Sequence, residues 1–336
     1  MIAEKIALPV RTTGFRYLKG DGFGRSFKKL RLSVLSVCNF NCVYCDPQGE
    51  KRNSGTIGRI KSLSPGGLAE TVKRIHDRVG LTSVRITGGE PLLYRRLPEL
   101  IRLLKQIGIP SVSLTTNASK LSERLSELLH SGLDGINISL DAIDQNTFQK
   151  MSGGHGNLED VMDGIDGCRS SGISLKINST IVKGINDIQT LDLLDFAMAR
   201  NITLRYIELM EMGPLFGNIK EKLFSQSEIL DAIGKKYSYE KLPRNKSSTA
   251  HYYRIAETGY QFGIISNVSE PFCNDCDRLR LSSDGKIFGC LSENRGFSVT
   301  GVKEEDVFDE ILHEALLQKK KNGFMGSSLS MKDIGG

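Results

Sequence analysis

Three cysteines lie close together near the start of the 336-residue chain, as Cys38, Cys42 and Cys45. They follow an apolar run typical of a β-strand, so a single loop can bring their thiolates to one metal centre. A structural zinc ion needs four ligands, and no fourth Cys or His follows within reach. A four-iron cluster held by three thiolates leaves one iron open for another ligand. The spacing therefore favours an iron–sulfur cluster, with zinc or a disulfide as the alternatives.

The composition is that of an ordinary soluble globular protein, with 39% hydrophobic and 25% charged residues. The net charge of +6 permits an anionic substrate without identifying one. Residues 1–25 lack the apolar core of a signal peptide, and no run reaches the roughly 18 apolar residues of a membrane span. We therefore predict a cytoplasmic protein with reduced thiols. Of the seven cysteines, Cys168 is predicted to be a small buried hydrophobe.

Strand-like and helical patterns alternate along most of the chain. Strands are predicted near 30–35, 83–87, 111–115, 135–140, 173–181 and 203–209, and helices near 65–79, 97–107, 120–131, 157–170 and 189–200. Six strands in series with helical crossovers predict a parallel sheet and a full or partial barrel. We divide the chain into an arm (1–25), the barrel (26–211) and a C-terminal region (212–336). That region is expected to be a layer over the barrel, and the three lysines at 319–321 a solvated helix end.

Polar residues follow the predicted strands at the edge where loops of parallel βα folds converge on one mouth. They are Gly88, Gly89, Glu90, Thr115, Thr116, Asn117, Ser139, Asp141, Lys176, Asn178, Arg205, Glu208 and Met210. Each alone is explained by a turn or a helix cap, but their shared edge favours a site. Gly88 and Gly89 expose backbone groups to a small polar ligand, and Glu90 can pair with an ammonium group.

Two motifs together carry a resemblance to a known family. Cys38-x₃-Cys42-x₂-Cys45 followed by Gly88-Gly89-Glu90-Pro91 in a βα series resembles the radical S-adenosylmethionine (SAM) superfamily. This resemblance implies a partial (β/α)₆ barrel, a TIM-type α/β fold, in which the open iron of a [4Fe–4S] cluster chelates SAM.

A second group of cysteines narrows the match. Cys273-x₂-Cys276-x₁₃-Cys290 encloses Arg278 and Arg280, and the chain ends in Gly335-Gly336. With the first motif, this pattern resembles the GTP 3′,8-cyclase family of molybdenum cofactor synthesis, from about Gly22 to the last residue. The family implies a second [4Fe–4S] cluster, which would bind the guanine. It also implies conversion of GTP to (8S)-3′,8-cyclo-7,8-dihydroguanosine 5′-triphosphate through a 5′-deoxyadenosyl radical.

The resemblance also implies partners and residue roles. The next enzyme would be cyclic pyranopterin monophosphate synthase, and the electron donor a flavodoxin or ferredoxin. No nucleic acid or membrane partner is expected, and a homodimer is left open. Cluster ligands would be Cys38, Cys42, Cys45, Cys273, Cys276 and Cys290. SAM contacts would be Tyr44, Gly88, Gly89, Glu90, Ser139 and Met210. GTP contacts would be Arg31, Arg85, Thr115, Lys176, Arg278, Leu279 and Arg280. Catalytic residues would be Arg31, Arg278, Arg280, Gly335 and Gly336.

The chain departs from the family pattern at several positions. Ser36-Val37 replaces Asp-Arg, Asp46 replaces Met, and Ser83 replaces Lys. One hypothesis is that the Asp46 carboxylate makes the first cluster harder to reduce through its negative charge. Two other functions stay open from the residues: a radical SAM enzyme acting on a peptide or another small molecule, and a zinc protein that binds nucleic acid through its basic surface.

Overall fold

The computed structural model describes residues 21–46, 62–320 and 323–334. Six parallel strands alternate with helices through the amino-terminal part of the fold. They are β1 (Lys29–Ser33), β2 (Ser83–Thr87), β3 (Ser111–Thr116), β4 (Gly135–Ser139), β5 (Ser174–Ile181) and β6 (Thr203–Glu208). The predicted α/β class, with strands in series joined by helical crossovers, is confirmed.

The helices between these strands begin and end close to the predicted positions. They are α1 (Pro65–Val79), α2 (Leu97–Gln106), α3 (Leu121–His130), α4 (Gln145–Met151), α5 (Leu158–Ser171) and α6 (Thr190–Ala199). At the start of α1, the Ser64 side chain accepts a hydrogen bond from the backbone N–H of Gly67, with Pro65 in the first turn. Helix α4 was not predicted. Its seven residues are too few to show a helical period, and it is held by an Asp144 cap and the buried Phe148.

The C-terminal region adds short strands and three helices to those already named, within the residues described. They are α7 (Gln226–Gly234), β7 (Tyr239–Lys241), β8 (His251–Ile255), β9 (Gln261–Ile265), β10 (Arg278–Leu281), β11 (Lys286–Phe288), β12 (Phe297–Ser298), α8 (Glu305–Leu317) and α9 (Met331–Ile334). The expectation of a separate layer over the barrel is wrong. Strand β9 pairs in parallel with β6, and β10 pairs in parallel with β1. The region therefore extends the barrel sheet at both of its edges.

One sheet of twelve strands results across the described residues, in the order β12-β11-β10-β1-β2-β3-β4-β5-β6-β9-β8-β7. Alternate side chains of each strand point to opposite faces. Leu30 and Leu32 of β1 are buried in the main hydrophobic core, as are the equivalent apolar residues of β2. Arg31 lies between them in sequence and so points to the other face, which leaves that face for a polar site.

Strand register places several cations in one row on that face. Arg31 of β1 lies opposite Arg280 of β10 on one side and opposite Arg85 of β2 on the other. Adjacent strands lie about 4.8 Å apart, so these like charges are neighbours. The row depends on the pairing of β10 with β1, two strands separated in sequence by most of the chain.

Two further observations concern Cys168 and membrane crossing. Cys168 is fully buried in the main core, which confirms the prediction of a small hydrophobe. Burial raises the pKa of this thiol to about 12. None of the helices within the described ranges combines the length and the apolar character that crossing a membrane requires.

Candidate active site

The first cysteine loop follows β1 and is held in a tight turn. The backbone N–H groups of Cys45 and Asp46 both donate to the carbonyl oxygen of Cys42, at 2.9 and 3.0 Å. Burial raises the pKa of Cys42 well above its ordinary value, and the nearby Asp141 and the other two cysteines raise it further. A cationic metal centre would supply the charge that stabilises thiolates here. Three soft sulfur donors on one loop fit an iron–sulfur cluster.

No three His, Cys, Asp or Glu side chains within residues 21–46, 62–320 and 323–334 are close enough to share one metal ion. A four-iron cluster makes a different demand on the protein, because each thiolate binds its own iron. The cysteines of such a cluster therefore stand further apart than the ligands of a single zinc ion.

Two glycines pack the loop after β2 against the cysteine loop. A Cβ atom on Gly89 would lie 2.0 Å from the carbonyl oxygen of Val37 and 2.8 Å from the nitrogen of Cys38. A Cβ atom on Gly88 would lie 2.5 Å from the carbonyl oxygen of Leu35. Such distances leave no room for any side chain. Both glycines are therefore required to hold the cysteine loop in place.

Glu90 is held by donors of the protein itself. The residue is 1% exposed, and its carboxylate accepts hydrogen bonds from Thr116 Oγ1 (2.6 Å) and from the backbone N–H groups of Asn117 (2.8 Å) and Leu92 (3.0 Å). Burial raises its pKa to about 7, although these bonds oppose the shift. Glu90 does not line the cavity described next. Its salt bridge to an ammonium group stays a prediction.

A single cavity is bordered by cysteines of both groups. It encloses about 1510 Å³, counting space open to solvent at its mouth, and Cys45 lies on its wall together with Cys273, Cys276 and Cys290. The predicted ligand contacts that also lie on this wall are Arg31, Tyr44, Arg85, Thr115, Ser139, Met210, Arg278 and Arg280. Several predicted residues are not part of the wall: Cys38, Cys42, Gly88, Gly89, Glu90, Lys176 and Leu279. Gly335 and Gly336 lie outside the described residues.

The contact of Leu279 with GTP stays a prediction, and its side chain does not line the cavity. It lies in β10 between Arg278 and Arg280, and its side chain is fully buried in the main core. Because side chains alternate along a strand, the two arginines point to the cavity while Leu279 points away from it. Lys176 does not line the cavity either. Burial lowers its pKa, and the nearby positive charges of Arg205 and Arg85 lower it further.

The cavity wall is strongly cationic. Burial lowers the pKa of Arg85 to about 10, and repulsion from Arg205 and Arg278 adds to this effect. Burial likewise lowers the pKa of Arg280 to about 10 and that of Arg31 well below its ordinary value, with repulsion between the arginines contributing. The guanidinium groups stay charged at neutral pH. A group of desolvated cations this dense is suited to binding a polyanion.

Three buried polar atoms on the wall have no hydrogen-bond partner within the described residues. They are Thr115 Oγ1, Asn178 Oδ1 and Arg205 Nε. Buried polar groups are nearly always paired, so atoms left over at a cavity wall indicate where a ligand binds. Of these residues, Thr115 was predicted as a contact, whereas Asn178 and Arg205 were noticed only for their place at the strand ends.

The sequence analysis missed Lys319. It was expected to be solvated, but its side chain is buried at 6% exposure, and Nζ lies 3.3 Å from Cys276 Sγ and donates to the carbonyl oxygen of Arg278. Burial raises the pKa of the Cys276 thiol, but Lys319 and Arg278 outweigh it and bring the pKa down to about 7. A signal was present in the sequence. Lys319 continues the apolar face of α8, at helical spacing from Leu312 and Ala315.

Tyr44 and Asp141 join the cysteine loop to the ends of the neighbouring strands. Tyr44 donates a hydrogen bond to Asp141 Oδ2 at 2.8 Å, and Oδ1 of the same carboxylate accepts from the N–H of Thr180 at 2.7 Å. Burial raises the pKa of Asp141 to about 6. These bonds fix the Tyr44 ring at the cavity wall.

Comparisons with known proteins identify the class. Residues 32–197 match the family model of the radical SAM superfamily, and residues 202–325 match the model named Molybdenum Cofactor Synthesis C. Streptococcus suis SuiB bound to S-adenosylmethionine aligns with a TM-score of 0.60 at 16% identity, covering 89% of this chain and 71% of SuiB. Native anSMEcpe with bound AdoMet aligns with a TM-score of 0.57 at 14% identity, over 85% and 82% of the two chains. Fold and motif together define a radical SAM protein.

Closer relatives narrow the family. GTP 3′,8-cyclase of Staphylococcus haemolyticus is 38% identical over 300 residues, which cover 88% of each chain. The enzyme of the same name from Staphylococcus carnosus is 38% identical over 295 residues, or 87% of each chain. The chain belongs to the GTP 3′,8-cyclase family. The resemblance seen in the sequence is confirmed, and membership of the superfamily implies a [4Fe–4S] cluster and SAM as cofactors.

Proposed function

We propose that this protein converts GTP to (8S)-3′,8-cyclo-7,8-dihydroguanosine 5′-triphosphate, the first step of molybdenum cofactor synthesis. One observation carries the proposal: a single cavity is bordered by cysteines of both groups and by five arginines, the partly buried Arg31 and Arg85 and the buried Arg205, Arg278 and Arg280. The cysteines suit the radical chemistry, and the cations suit a triphosphate. A neutral peptide substrate would leave these desolvated charges uncompensated.

The reaction balances with two electrons from a one-electron donor such as a flavodoxin or ferredoxin. When bound, the first cluster would supply the electron that cleaves SAM to methionine and a 5′-deoxyadenosyl radical, and this radical would take the hydrogen atom from C3′ of GTP. The carbon radical at C3′ then forms a bond to C8 of the guanine. A second electron and a proton complete the dihydro product, and 5′-deoxyadenosine leaves with methionine. The protein's part is to bind, orient and shield.

The residues take distinct roles in this proposal. Cys38, Cys42 and Cys45 would hold the first cluster, and SAM would be contacted by Tyr44, Gly88, Gly89, Glu90, Ser139 and Met210. Cys273, Cys276 and Cys290 would hold a second [4Fe–4S] cluster, which would bind the guanine. Arg31, Arg85, Lys176, Arg278 and Arg280 bind GTP, together with the unpaired Thr115 hydroxyl. Planar guanidinium groups suit phosphate and purine acceptors, and Lys176 adds a point charge.

Further parts of the proposal rest on family membership. The chain is proposed to act in the cytoplasm, with cyclic pyranopterin monophosphate synthase taking the product. The terminal Gly335-Gly336 is proposed to take part in the cyclisation. The division into an arm, a barrel and a C-terminal region at 25/26 and 211/212 is retained as a proposal, in which residues of the barrel and of the C-terminal region together form the site.

The test is a reaction with labelled substrate. Reconstituted, dithionite-reduced protein is incubated with SAM and GTP deuterated at C3′, and the products are analysed by mass spectrometry. The proposal expects one cyclised nucleotide for each 5′-deoxyadenosine, with deuterium transferred to the deoxyadenosine. Cys45→Ala should abolish both products, whereas Cys168→Ala, in the core, should retain them. Deoxyadenosine without any cyclised nucleotide would refute GTP as the substrate while leaving the radical SAM class intact.

A further inference from the structure

The last described segment of the chain, residues 323–334, is here named the C-terminal strap. It crosses the cavity side of the fold and contacts several separate parts of the site. Its Ser327 N–H donates to the carbonyl oxygen of Glu211 at 3.0 Å, and its Ser327 carbonyl accepts from Gly213 at 2.9 Å. These bonds tie the strap to the chain just after Met210, a proposed SAM contact.

The strap also contacts the loops that follow both cysteine groups. Apolar residues of the strap form a small cluster with the chain on either side of Cys290: Ile334, Met331, Leu329, Phe324, Phe288 and Leu291. On the other side, Ser330 Oγ donates to the carbonyl oxygen of Cys45 at 3.2 Å. The strap therefore spans the space between the two proposed cluster loops.

One ion pair joins the strap to the first cysteine loop. Lys332 Nζ lies 2.8 Å from Asp46 Oδ2, and the two side chains are 14% and 20% exposed. Partial burial protects the pair from the screening that weakens most surface ion pairs. Asp46 directly follows Cys45, so the pair fixes the strap at the residue next to a proposed cluster ligand.

We propose that the Asp46–Lys332 ion pair is the contact that sets the position of the strap on the first cysteine loop. Asp46 and Lys332 are then positioning residues. This replaces the hypothesis that Asp46 acts through its negative charge on the cluster. With an ammonium group 2.8 Å away, the local charge of the pair is close to neutral.

Lys332 lies three residues before the Gly335-Gly336 pair that is proposed to take part in the cyclisation. We therefore expect loss of the ion pair to affect that step. The expected consequence is uncoupling, in which 5′-deoxyadenosine forms without cyclisation. The expected uncoupling rests on the proposed function, whereas the role of the ion pair in positioning the strap does not.

The test measures amide hydrogen exchange of residues 323–334 in the reconstituted, anaerobic protein. Asp46→Asn and Lys332→Gln should each speed exchange of the strap about fivefold, the effect of losing a half-buried ion pair. The exchanged pair, Asp46→Lys with Lys332→Asp, should recover much of the protection. Lys73→Gln is the matched control, since it breaks the exposed Lys73–Asp77 pair of 2.6 Å on α1 and should leave the strap unchanged.

Two results would overturn the proposal. One is wild-type exchange of the strap in Lys332→Gln. The other is a midpoint potential of the first cluster that rises in Asp46→Asn and falls in Lys332→Gln without any change in exchange, since this would show a charge effect alone. The ratio of 5′-deoxyadenosine to cyclised nucleotide is measured in parallel and should rise severalfold in both single variants. If the wild-type protein itself forms no cyclised nucleotide, the proposed function fails, and the exchange data still decide the role of the ion pair.

Discussion

Replacing Arg85 by methionine is expected to stabilise the ligand-free protein while weakening GTP binding. Arg85 lies in the row of cations on β2, β1 and β10, and its Nε donates one long hydrogen bond of 3.4 Å to Ser113 Oγ. Burial, with repulsion from Arg205 and Arg278, lowers its pKa from 12.5 to about 10. Methionine keeps much of the apolar volume of the side chain and removes the charge.

The sign and the size of the expected change in stability follow from the shift in the pKa of Arg85. A base whose pKa is lower in the folded protein carries a charge that destabilises the folded state at every pH below about 10, which includes neutral pH. At about 1.4 kcal/mol per pH unit, the full shift would correspond to at most ~3 kcal/mol. Loss of the hydrogen bond to Ser113 and of the packing of the Arg85 stem reduces this stabilisation. The free energy of unfolding of Arg85→Met should therefore exceed that of the wild-type protein by about 1–2 kcal/mol.

Urea unfolding at pH 7.5, followed by circular dichroism under anaerobic conditions, measures the change. The midpoint should rise in Arg85→Met, and added GTP should raise the midpoint of the wild-type protein much more than that of the variant. Arg96→Met is the control, because Arg96 is exposed and pairs with Glu99 at 2.7 Å; its midpoint should stay close to wild type. A lower midpoint in Arg85→Met with an unchanged control would refute the idea that the cations of the cavity wall destabilise the ligand-free protein.

Three further predictions concern the cysteine loops. Lys319→Met should lower the midpoint potential of the proposed second cluster by about 60 mV, the equivalent of one charge-assisted hydrogen bond of ~1.4 kcal/mol in a one-electron couple. Lys286→Met, which removes an exposed lysine paired with Asp284, should leave that potential unchanged. Gly89→Ala should displace the loop at Val37, so that the reconstituted protein retains about half of the wild-type iron; full iron content would contradict the role of Gly89. Glu90 has its pKa raised to about 7, so the folded state gains stability as the pH falls through that value. The free energy of unfolding of the wild-type protein, relative to that of Glu90→Gln, should therefore rise by about 1 kcal/mol from pH 8 to pH 6 in urea unfolding. A difference between the two proteins that stays constant with pH would count against the shift in the pKa of Glu90.

The elements that the sequence predicts well are those with a local signal. The period of the apolar residues located α1, and Ser64 and Pro65 marked its first turn. The short helix α4 escaped because seven residues do not establish a period. For strand β10, the sequence does not show which strand of the sheet it pairs with. Its partner β1 lies about 250 residues away, and no local pattern encodes such a pairing.

The surroundings of three residues, Leu279, Glu90 and Lys319, could not be predicted from the sequence for similar reasons. Leu279 was taken with its two arginine neighbours as a continuous motif, although alternation along a strand sends it to the core. Glu90 was assigned to a ligand because a carboxylate after two glycines can bind an ammonium group. The sequence does not show that Thr116 and two backbone N–H groups occupy it. Lys319 was judged by its lysine neighbours and not by the apolar face of α8 that it continues.

The pairing of β10 with β1 gives the cation row a consequence for folding as well as for binding. Arg280 reaches Arg31 only after β10 has joined the sheet, so the repulsion between them opposes the step that completes the site. A triphosphate bound as proposed would remove that opposition, because its charge would be shared by arginines on both sides of the β10–β1 pair. GTP should therefore stabilise the β10–β1 pairing more than any other part of the fold. Hydrogen exchange along β10 should slow on addition of GTP by a larger factor than exchange along β4, which lies away from the row. Equal protection of the two strands would show that GTP binding does not selectively stabilise the pairing of β10 with β1.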